Sequence, residues 1–367
     1  MEAASFTGGE AEELRRAFGF KRSEQRMHQL EGKLRAGLAK NDITGETQDR
    51  IVKAITSFAM FGFPESHAAS FALLAYASAY LRTYHLAAFT CALLNNQPMG
   101  FYSPSTIVKD AQRHGLRVLP VDINRSQVKC TVEGTHVRLG LNYVRGLHKK
   151  SADEIAGEQP FENIEDLARR VPELQKEQMA QLAAIGALNP IGAKHRRDAL
   201  WQGSHATRPV GELLRAVPEP KQESPLQQMT VQERLFADCH GTGMTIGPHP
   251  MAYCRPEMNK LRVITAAGLA SIPNGRLVRV AGNVIVRQRP GTAKGITFMS
   301  LEDETGIANV VIMPDLFERQ KREILSHPWV TVEGQLQNVD SVIHVLASRV
   351  MPLAWPKEVS ERSHDFH

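Results

Sequence analysis

A run of basic side chains with no acidic residue among them lies in the last third of the chain. Its members are Arg276, Arg279, Arg287, Arg289 and Lys294. Guanidinium and ammonium groups bind phosphate oxygens, so this run predicts contact with a nucleic-acid backbone. Phe298 follows, and its ring could stack on a base of a single strand. A solvated basic hairpin with Phe298 in a hydrophobic core is the alternative, and the sequence leaves both open.

A second candidate lies at residues 141–155, where a glycine turn separates two short helical patterns. This pattern resembles a helix-hairpin-helix element, in which amides at the start of the second helix bind a DNA phosphate. We therefore predict DNA contacts from Gly146, His148, Lys149 and Lys150. His148 stands where the motif usually has a second glycine, so a left-handed backbone there would be strained. A plain helical hairpin is the alternative.

A more degenerate copy of the same pattern spans residues 182–188. A basic group follows it, consisting of Lys194, His195, Arg196 and Arg197. Nearby cations favour DNA contact because phosphate binding is largely electrostatic. The two copies together predict a tandem helix-hairpin-helix domain.

A third group of cations lies near the N-terminus, beside a glycine turn. It consists of Arg15, Arg16, Lys21 and Arg22. Such a group could clamp a triphosphate or a phosphodiester backbone, because both are anionic and accept several hydrogen bonds. The alternative is a solvated helix face.

Metal chemistry has little support in the sequence. Cys239, His240, His249 and Cys254 are residue types that bind metals, but their spacing matches no zinc pattern. We therefore predict no metal site, and a metal hydrolase is the least favoured class. The four cysteines lie far apart with no CxxC pair, which favours a reducing cytoplasm. The first residues also lack the apolar stretch of a signal peptide.

The elements that must position these residues change along the chain. Up to about residue 96, apolar side chains recur at helical spacing, which predicts an all-helical block. Its most apolar segment, residues 68–81, is too short to cross a membrane, so it is predicted to be a buried helix. Strands are predicted at 118–122 and within 129–140, which gives a small α/β patch. A polar, proline-bearing segment from residue 203 to about residue 224 predicts a linker.

The C-terminal part changes to a period of two between residues 276 and 349. About five strands, with a helix near residues 315–325 between the third and the fourth, predict a small barrel of the OB type. The second and third strands of such a barrel face single-stranded nucleic acid. The predicted fold class is therefore multidomain α+β, with a helical block, a tandem helix-hairpin-helix domain and a C-terminal OB barrel.

Composition agrees with several domains. The chain has 367 residues, of which 42% are apolar and 23% charged, and this excludes a disordered or collagen-like protein. Forty-four basic against 39 acidic residues give a net charge of +5. This mild excess favours an anionic partner such as DNA, and no membrane partner is predicted.

Several long strings resemble the bacterial replicative DNA polymerase alpha-subunit family, most closely its error-prone, damage-inducible branch. They lie at residues 15–23, 61–72, 94–102, 278–295 and 363–367. The resemblance covers essentially the whole chain. It implies a fingers-like helical domain at 1–128, the tandem hairpins at 129–202, a connecting segment at 203–275, an OB barrel at 276–352 and a tail at 353–367. It also implies that the N-terminal cations face an incoming nucleotide.

The resemblance further implies that a catalytic palm domain is absent from this chain. Polymerisation needs clustered carboxylates that hold two Mg²⁺ ions, and the sequence contains no Asp-x-Asp pair. We therefore expect no cofactor here, with Mg²⁺ bound only by the missing palm, and no primer extension by the chain alone.

Family members also carry a short peptide that binds the sliding clamp. Gln232, Leu235 and Phe236 are the glutamine and the apolar pair that such peptides use. Ordinary helix core is the alternative for the two apolar residues.

The leading hypothesis is the C-terminal, DNA-gripping part of an error-prone DNA polymerase, acting in repair and replication. It would bind primer-template and single-stranded DNA. The competing hypothesis is a non-catalytic DNA-binding or scaffold protein that joins a separately encoded palm-containing polymerase chain or the sliding clamp.

Overall fold

The computed structural model describes residues 6–7, 9, 24–61, 65–100, 102–207, 224–339, 342–353 and 364–366. The predicted nucleotide-binding cations Arg15, Arg16, Lys21 and Arg22 lie outside these residues, so their role stays a prediction. In the described part, the chain runs from helices through a small sheet and more helices to a barrel.

The N-terminal part is helical, as the sequence predicts. Its helices are α1 (Glu24–Lys40), α2 (Gly45–Phe61), α3 (Glu65–Tyr84), α4 (Leu86–Asn95) and α5 (Pro104–Arg113). Helix α5 begins where Ser103 accepts a hydrogen bond from the Thr106 amide at 3.2 Å and proline takes the first helical position. Leu34, Leu38 and Val52 form a small core between α1 and α2.

Helix α3 differs from the prediction. The apolar segment 68–81 forms its middle, as expected, but the predicted burial is wrong: every side chain from His67 to Tyr84 is exposed. Apolar composition predicts that a helix surface is covered, but it does not say by which part of a protein. The described part of this chain does not cover the surface of α3.

The middle of the chain holds the predicted α/β patch and the hairpins. Strands β1 (Val118–Leu119), β2 (Thr131–Glu133) and β3 (His136–Arg138) form a sheet in the order β1-β3-β2. The following helices are α6 (Lys149–Glu158), α7 (Ile164–Arg170), α8 (Lys176–Ala184) and α9 (Arg196–Ala206). One hydrophobic core joins them to α4 and α5, and it extends from Cys91 to Met244. The core therefore crosses residue 128, where the resemblance placed a domain boundary.

Two helices lie within the connecting segment 203–275, beyond the part that composition assigned to a linker. They are α10 (Val231–Thr242) and α11 (Pro250–Lys260). The first begins with a capping box, because Thr230 accepts from the Glu233 amide and the Glu233 carboxylate accepts from the Thr230 amide. The helices share a core with Trp329 of the barrel.

The C-terminal part is a closed five-stranded OB barrel with one added strand, and it confirms the predicted fold class. The strands are β4 (Leu277–Gln288), β5 (Thr297–Glu302), β6 (Ile307–Ile312), β7 (Trp329–Val339), β8 (Val342–Pro352) and β9 (His364–Phe366). Helices α12 (Pro314–Arg319) and α13 (Lys321–Ser326) replace the single helix predicted between the third and fourth strands. The ring closes because β4 pairs antiparallel with both β5 and β7.

Strand β4 changes partners along its length. Leu277 to Asn283 pair with β7, and Asn283 to Gln288 pair with β5 across a bulge between Val284 and Val286. From Val286 to Gln288 its other edge pairs with β9 in parallel. Both edges of the second half of β4 are therefore hydrogen-bonded.

Helix α5 joins the hairpin unit to the rest of the chain. Arg113 forms an ion pair with Glu302 at the end of β5, at 2.8 Å, and Thr106 donates to the same carboxylate at 3.3 Å. Lys109 is buried and donates to the main-chain carbonyl of Gly247 and, at 3.0 Å, to Gln112. Burial lowers the pKa of Lys109 to about 8. The two contacts to Glu302 hold the barrel against α5, and Lys109 holds the segment before α11 there.

Candidate nucleic-acid interface

The first hairpin has an open helix N-terminus. Gly146 adopts a φ of 79°, which is accessible to glycine, and the chain then enters α6 at Lys149. His148 has an ordinary φ of −70°, so the strain predicted for a non-glycine residue at this position is absent. In the described structure no side chain caps α6. The first amides of α6 are thus available to an anion.

The charges around this N-terminus are unevenly placed. Lys149 is exposed and, within the described part of the chain, makes no ion pair. Lys150 pairs with Glu173 at 2.8 Å, and this hydrogen bond raises the pKa of Lys150. Lys149 is therefore the cation of the predicted pair that is free for a phosphate.

The second hairpin closes its helix N-terminus with its own side chains. Gly186 has a φ of 86°, as a hairpin turn requires. His195, however, caps α9 by accepting from the Asp198 amide at 3.0 Å. The buried Asp198 carboxylate accepts from the Lys194 amide at 2.7 Å and places a negative charge beside the helix. A phosphate would meet a capped amide and a carboxylate here, so this copy is structural.

The cations after the second copy are also occupied. Arg196 pairs with Asp238 at 2.7 Å, and Arg197 pairs with Glu233 at 2.7 Å. Both partners lie on α10. These arginines therefore hold α10 against the hairpins.

The barrel presents an outer surface on β5 and β6 of the kind that stacks bases. Phe298 is 40% exposed and lies opposite Val311, while Ser300 lies opposite Asn309. The side chains between them, such as Met299, point into the barrel core. Of the two alternatives for Phe298, the structure shows the exposed one. The period of two at Ile307, Asn309 and Val311 could have identified the β6 half of this surface from the sequence.

Arg287 is placed differently from its prediction. Its side chain is buried, donating from Nε to the Ile324 carbonyl at 2.7 Å and from Nη2 to the His327 carbonyl at 2.6 Å. The prediction that Arg287 guides single-stranded DNA is therefore wrong. Its hydrogen bonds tie the α13 end to the barrel.

Of the basic side chains predicted to contact DNA from the hairpin between β4 and β5, one makes no ion pair in the described structure. Arg289 lies over the ring of Phe317, 4.3 Å from its centroid, and is 3.4 Å from Glu318. Lys294 is exposed at the tip with a left-handed φ of 50°, and in the described structure it makes no ion pair. Gln288, which precedes Arg289, lies opposite Phe298, so hairpin and exposed ring form one surface.

Of the two remaining basic residues of the run, Arg279 is paired with an acidic side chain and Arg276 is exposed. Arg279 donates to Glu333 at 2.8 Å and to the Leu261 carbonyl at 2.7 Å. Arg276 is exposed at the start of β4. The run that the sequence shows as one basic surface is therefore split by the fold.

The predicted clamp-binding residues lie in α10. Leu235 is buried in a core with Met251 and Trp329, and Phe236 packs against the same core. Gln232 is exposed. Leu235 is buried and Phe236 is partly buried in the core of this chain, so the structure favours the helix-core alternative, and clamp binding stays a prediction.

Acidic and histidine side chains in and beside the barrel make contacts that stabilise the fold. Asp303 is buried, accepts from the amides of Thr305 and Gly306, and pairs with Arg255. His249 caps α11, and burial together with nearby cations lowers its pKa to about 3. Among the described residues, no group of three or more His, Cys, Asp or Glu could hold a metal ion. No helix in the described residues is long and apolar enough to cross a membrane.

Comparison with known domains finds a match for each of the two modules. Residues 115–199 match a helix-hairpin-helix motif, and residues 273–353 match an OB-fold nucleic acid binding domain. These two modules define a nucleic-acid-binding protein of several domains.

Comparison with curated proteins gives the family. An error-prone DNA polymerase of Aromatoleum aromaticum is 43% identical over 99% of this chain, and one of Azoarcus sp. is 44% identical over 100%. One of Anaeromyxobacter dehalogenans is 42% identical over 100%. The chain belongs to the error-prone branch of the bacterial DNA polymerase alpha-subunit family. It spans 33–35% of the length of these relatives, in agreement with the predicted C-terminal part.

Solved structures add little to this. A Pyrococcus horikoshii asparaginyl-tRNA synthetase aligns with 24% of this chain and 22% of its own, at a TM-score of 0.22 and 21% identity. A similarity this low carries no functional argument.

Proposed function

We propose that this chain grips DNA for an error-prone DNA polymerase by binding the phosphate backbone at one surface and a single strand at another. The observation that carries the proposal is the open N-terminus of α6, with free amides and Lys149 beside it. A helix N-terminus carries a partial positive charge, and a phosphate there is held without reading the base sequence.

The barrel surface supplies the second contact in this proposal. Phe298 can stack on any base because every base has a π face, and Lys294 lies on the adjoining hairpin to contact phosphate. Duplex would lie on the first hairpin and the single-stranded template on the barrel. Binding of both forms is what primer-template recognition by an error-prone polymerase requires, and it would place the chain in DNA repair and replication.

The proposal is tested with labelled single-stranded and duplex DNA over a series of salt concentrations. We expect the logarithm of the affinity to fall linearly with the logarithm of salt, because phosphate contacts release counterions. Lys149→Glu should weaken duplex binding and reduce the salt slope by about one. The matched control is Lys260→Glu, since Lys260 is an exposed lysine at the end of α11. Absent or salt-insensitive binding would contradict the proposal.

A further inference from the structure

Strand β1 lies at the margin of the small sheet and leaves one pair of main-chain groups unused. The sheet order β1-β3-β2 gives β1 a single neighbour. The Arg117 carbonyl accepts from the Val137 amide of β3 at 3.1 Å, and the Leu119 carbonyl accepts from the Leu139 amide, also at 3.1 Å. Successive residues of a strand direct their main-chain groups to opposite sides, so the amide and carbonyl of Val118 point away from β3. Among the described residues none hydrogen-bonds to these two groups, although Val118 is only 5% exposed.

Val118 lines a groove whose second wall is fixed by hydrogen bonds. A cavity of about 570 Å³ lies between β1 and residues 246–248. On that wall the Ile246 carbonyl accepts from the Gln112 side chain at 2.7 Å, and the Gly247 carbonyl accepts from the buried Lys109. Buried main-chain groups are nearly always hydrogen-bonded in native proteins. The groove is therefore preformed to hold a group that both donates and accepts hydrogen bonds.

An extended polypeptide is such a group. In an antiparallel pair of strands, a residue can exchange both of its main-chain hydrogen bonds with the residue opposite, so one residue of an added strand satisfies Val118. A DNA phosphate only accepts hydrogen bonds, and it would leave the Val118 carbonyl unpaired beside a negative charge. Pro120 has no amide to donate and limits the usable edge of β1. The main-chain contact is therefore short and requires support from side chains.

A second cavity beside the groove supplies that support. Its volume is about 630 Å³, and it shares Arg117, Leu119 and Pro120 with the first. Side chains alternate along a strand, so Arg117 points to the face opposite the buried Val118. His136, which precedes the β3 partner of Val118, lies beside Arg117 on that face. A strand added at Val118 would therefore place its neighbouring side chains next to Arg117.

The charges around the second cavity favour an acidic occupant. They come from Arg117, Arg125, Arg138, Asp122 and Glu133. Glu133 is already paired, with Arg138 and, at 3.0 Å, with Arg125. Arg117 is exposed and makes no ion pair with any described residue. A carboxylate on the added strand would complement this charge.

We propose that the groove beside β1 binds an extended, acidic segment of another protein. The segment adds as a strand at Val118 and places a carboxylate beside Arg117. The site shares no residue with the DNA contacts of the proposed function, so the two can be tested separately.

The test uses the full chain and, as the probe, a labelled octapeptide in which valine and glutamate alternate. Wild type should bind this peptide in fluorescence anisotropy, and a peptide with lysine in place of glutamate should bind about tenfold more weakly. Arg117→Glu should also weaken binding of the acidic peptide by about tenfold. The matched control is Arg322→Glu, which reverses the charge of an exposed arginine in α13 and should bind as wild type does. Circular dichroism should show the wild-type fold in both variants.

Two further measurements report on the groove itself. Hydrogen exchange at the Val118 amide should slow when the acidic peptide is bound, because that amide then donates to the peptide. Exchange at the Val137 amide should stay unchanged, since it already donates to Arg117. Leu119→Trp leaves the charge unaltered but narrows both cavities, so it should weaken peptide binding as well.

Several results would overturn the proposal. They are failure of wild type to bind the acidic peptide, equal binding by wild type and Arg117→Glu, and unchanged exchange at Val118. A wild-type dimer that Arg117→Glu dissociates would show that a second copy occupies the groove. An equal loss of DNA and peptide affinity in Arg117→Glu would show a phosphate site instead. Loss of the expected DNA binding with peptide binding intact would contradict only the proposed function.

Discussion

Arg113 of α5 and Glu302 of β5 form an ion pair at 2.8 Å in which the carboxylate side chain is only 3% exposed. The two residues are 189 positions apart in the chain and belong to different units, the hairpin core and the barrel. The pair therefore contributes to the stability of the whole chain as well as to the relative placement of the two DNA-binding surfaces.

Removing one partner of this pair should be costly. Arg113→Met leaves the Glu302 carboxylate buried without its guanidinium partner, so the free energy of unfolding should fall by about 3 kcal/mol. Arg113→Met with Glu302→Gln should recover most of the loss because no charge is then buried. Urea unfolding measures both. Arg82→Met, which removes an exposed pair with Asp110, should cost less than about 1 kcal/mol; a similar cost at both sites would contradict the assignment.

The exposed ring of the barrel should contribute to single-strand binding alone. Phe298→Ala should weaken binding of single-stranded DNA by about 1–3 kcal/mol, the usual contribution of one base stacked on an aromatic ring. Affinity for blunt duplex should hardly change. Fluorescence anisotropy with both probes makes the measurement, with Leu277→Ala as the control at another exposed apolar site. Equal losses for both probes would argue against stacking.

Two cations of the same hairpin region should behave in opposite ways. Arg287→Met removes hydrogen bonds to the carbonyls of Ile324 and His327, so the melting temperature should fall. Lys294→Asn keeps a residue that tolerates the left-handed backbone and removes the exposed charge, so stability should hold while single-strand affinity and its salt slope decrease. Differential scanning calorimetry and anisotropy separate the two effects. A stable Arg287→Met protein with impaired DNA binding would restore the prediction made from the sequence.

The buried lysine should make stability depend on pH. Burial lowers the pKa of Lys109 from 10.5 to about 8, so between these values the unfolded chain binds more protons than the folded one. The contribution of Lys109 to the free energy of unfolding therefore rises with pH across this window, by about 3 kcal/mol in total. Lys109→Met should abolish this rise. Urea unfolding of wild type and variant at a series of pH values measures it, because the difference between the two pH profiles removes the contributions of other groups. Parallel pH profiles would show that Lys109 is not the source.

The barrel was predictable in outline because alternation of apolar residues reports on burial directly. The alternation fails in β4, where every residue from Val278 to Arg287 is buried or partly buried. One face of this strand lies on the barrel core, and the other is covered by neighbouring helices and the loop before Trp329. An arginine in such a strand looks like a surface cation in the sequence, and Arg287 was misplaced for this reason.

The two hairpins show a related limit. Their glycines were recognisable, and both Gly146 and Gly186 take the left-handed backbone that the turns need. The difference between them lies in His195, which caps α9 and was grouped in the sequence with cations that favour DNA, and in the Asp198 carboxylate beside it. A basic run does not reveal which side chains are used within the protein.

Strand β9 also has a consequence for how the protein behaves in solution. Beyond Asn283, where the pairing of β4 with β7 ends, the backbone groups of Val286, Arg287 and Gln288 would form a bare sheet margin. The short parallel strand His364–Phe366 occupies that margin. An uncovered margin is a template on which strands of other molecules assemble. Removing the last few residues of the chain would therefore expose this strand edge. We expect the shortened protein to associate with other molecules through it.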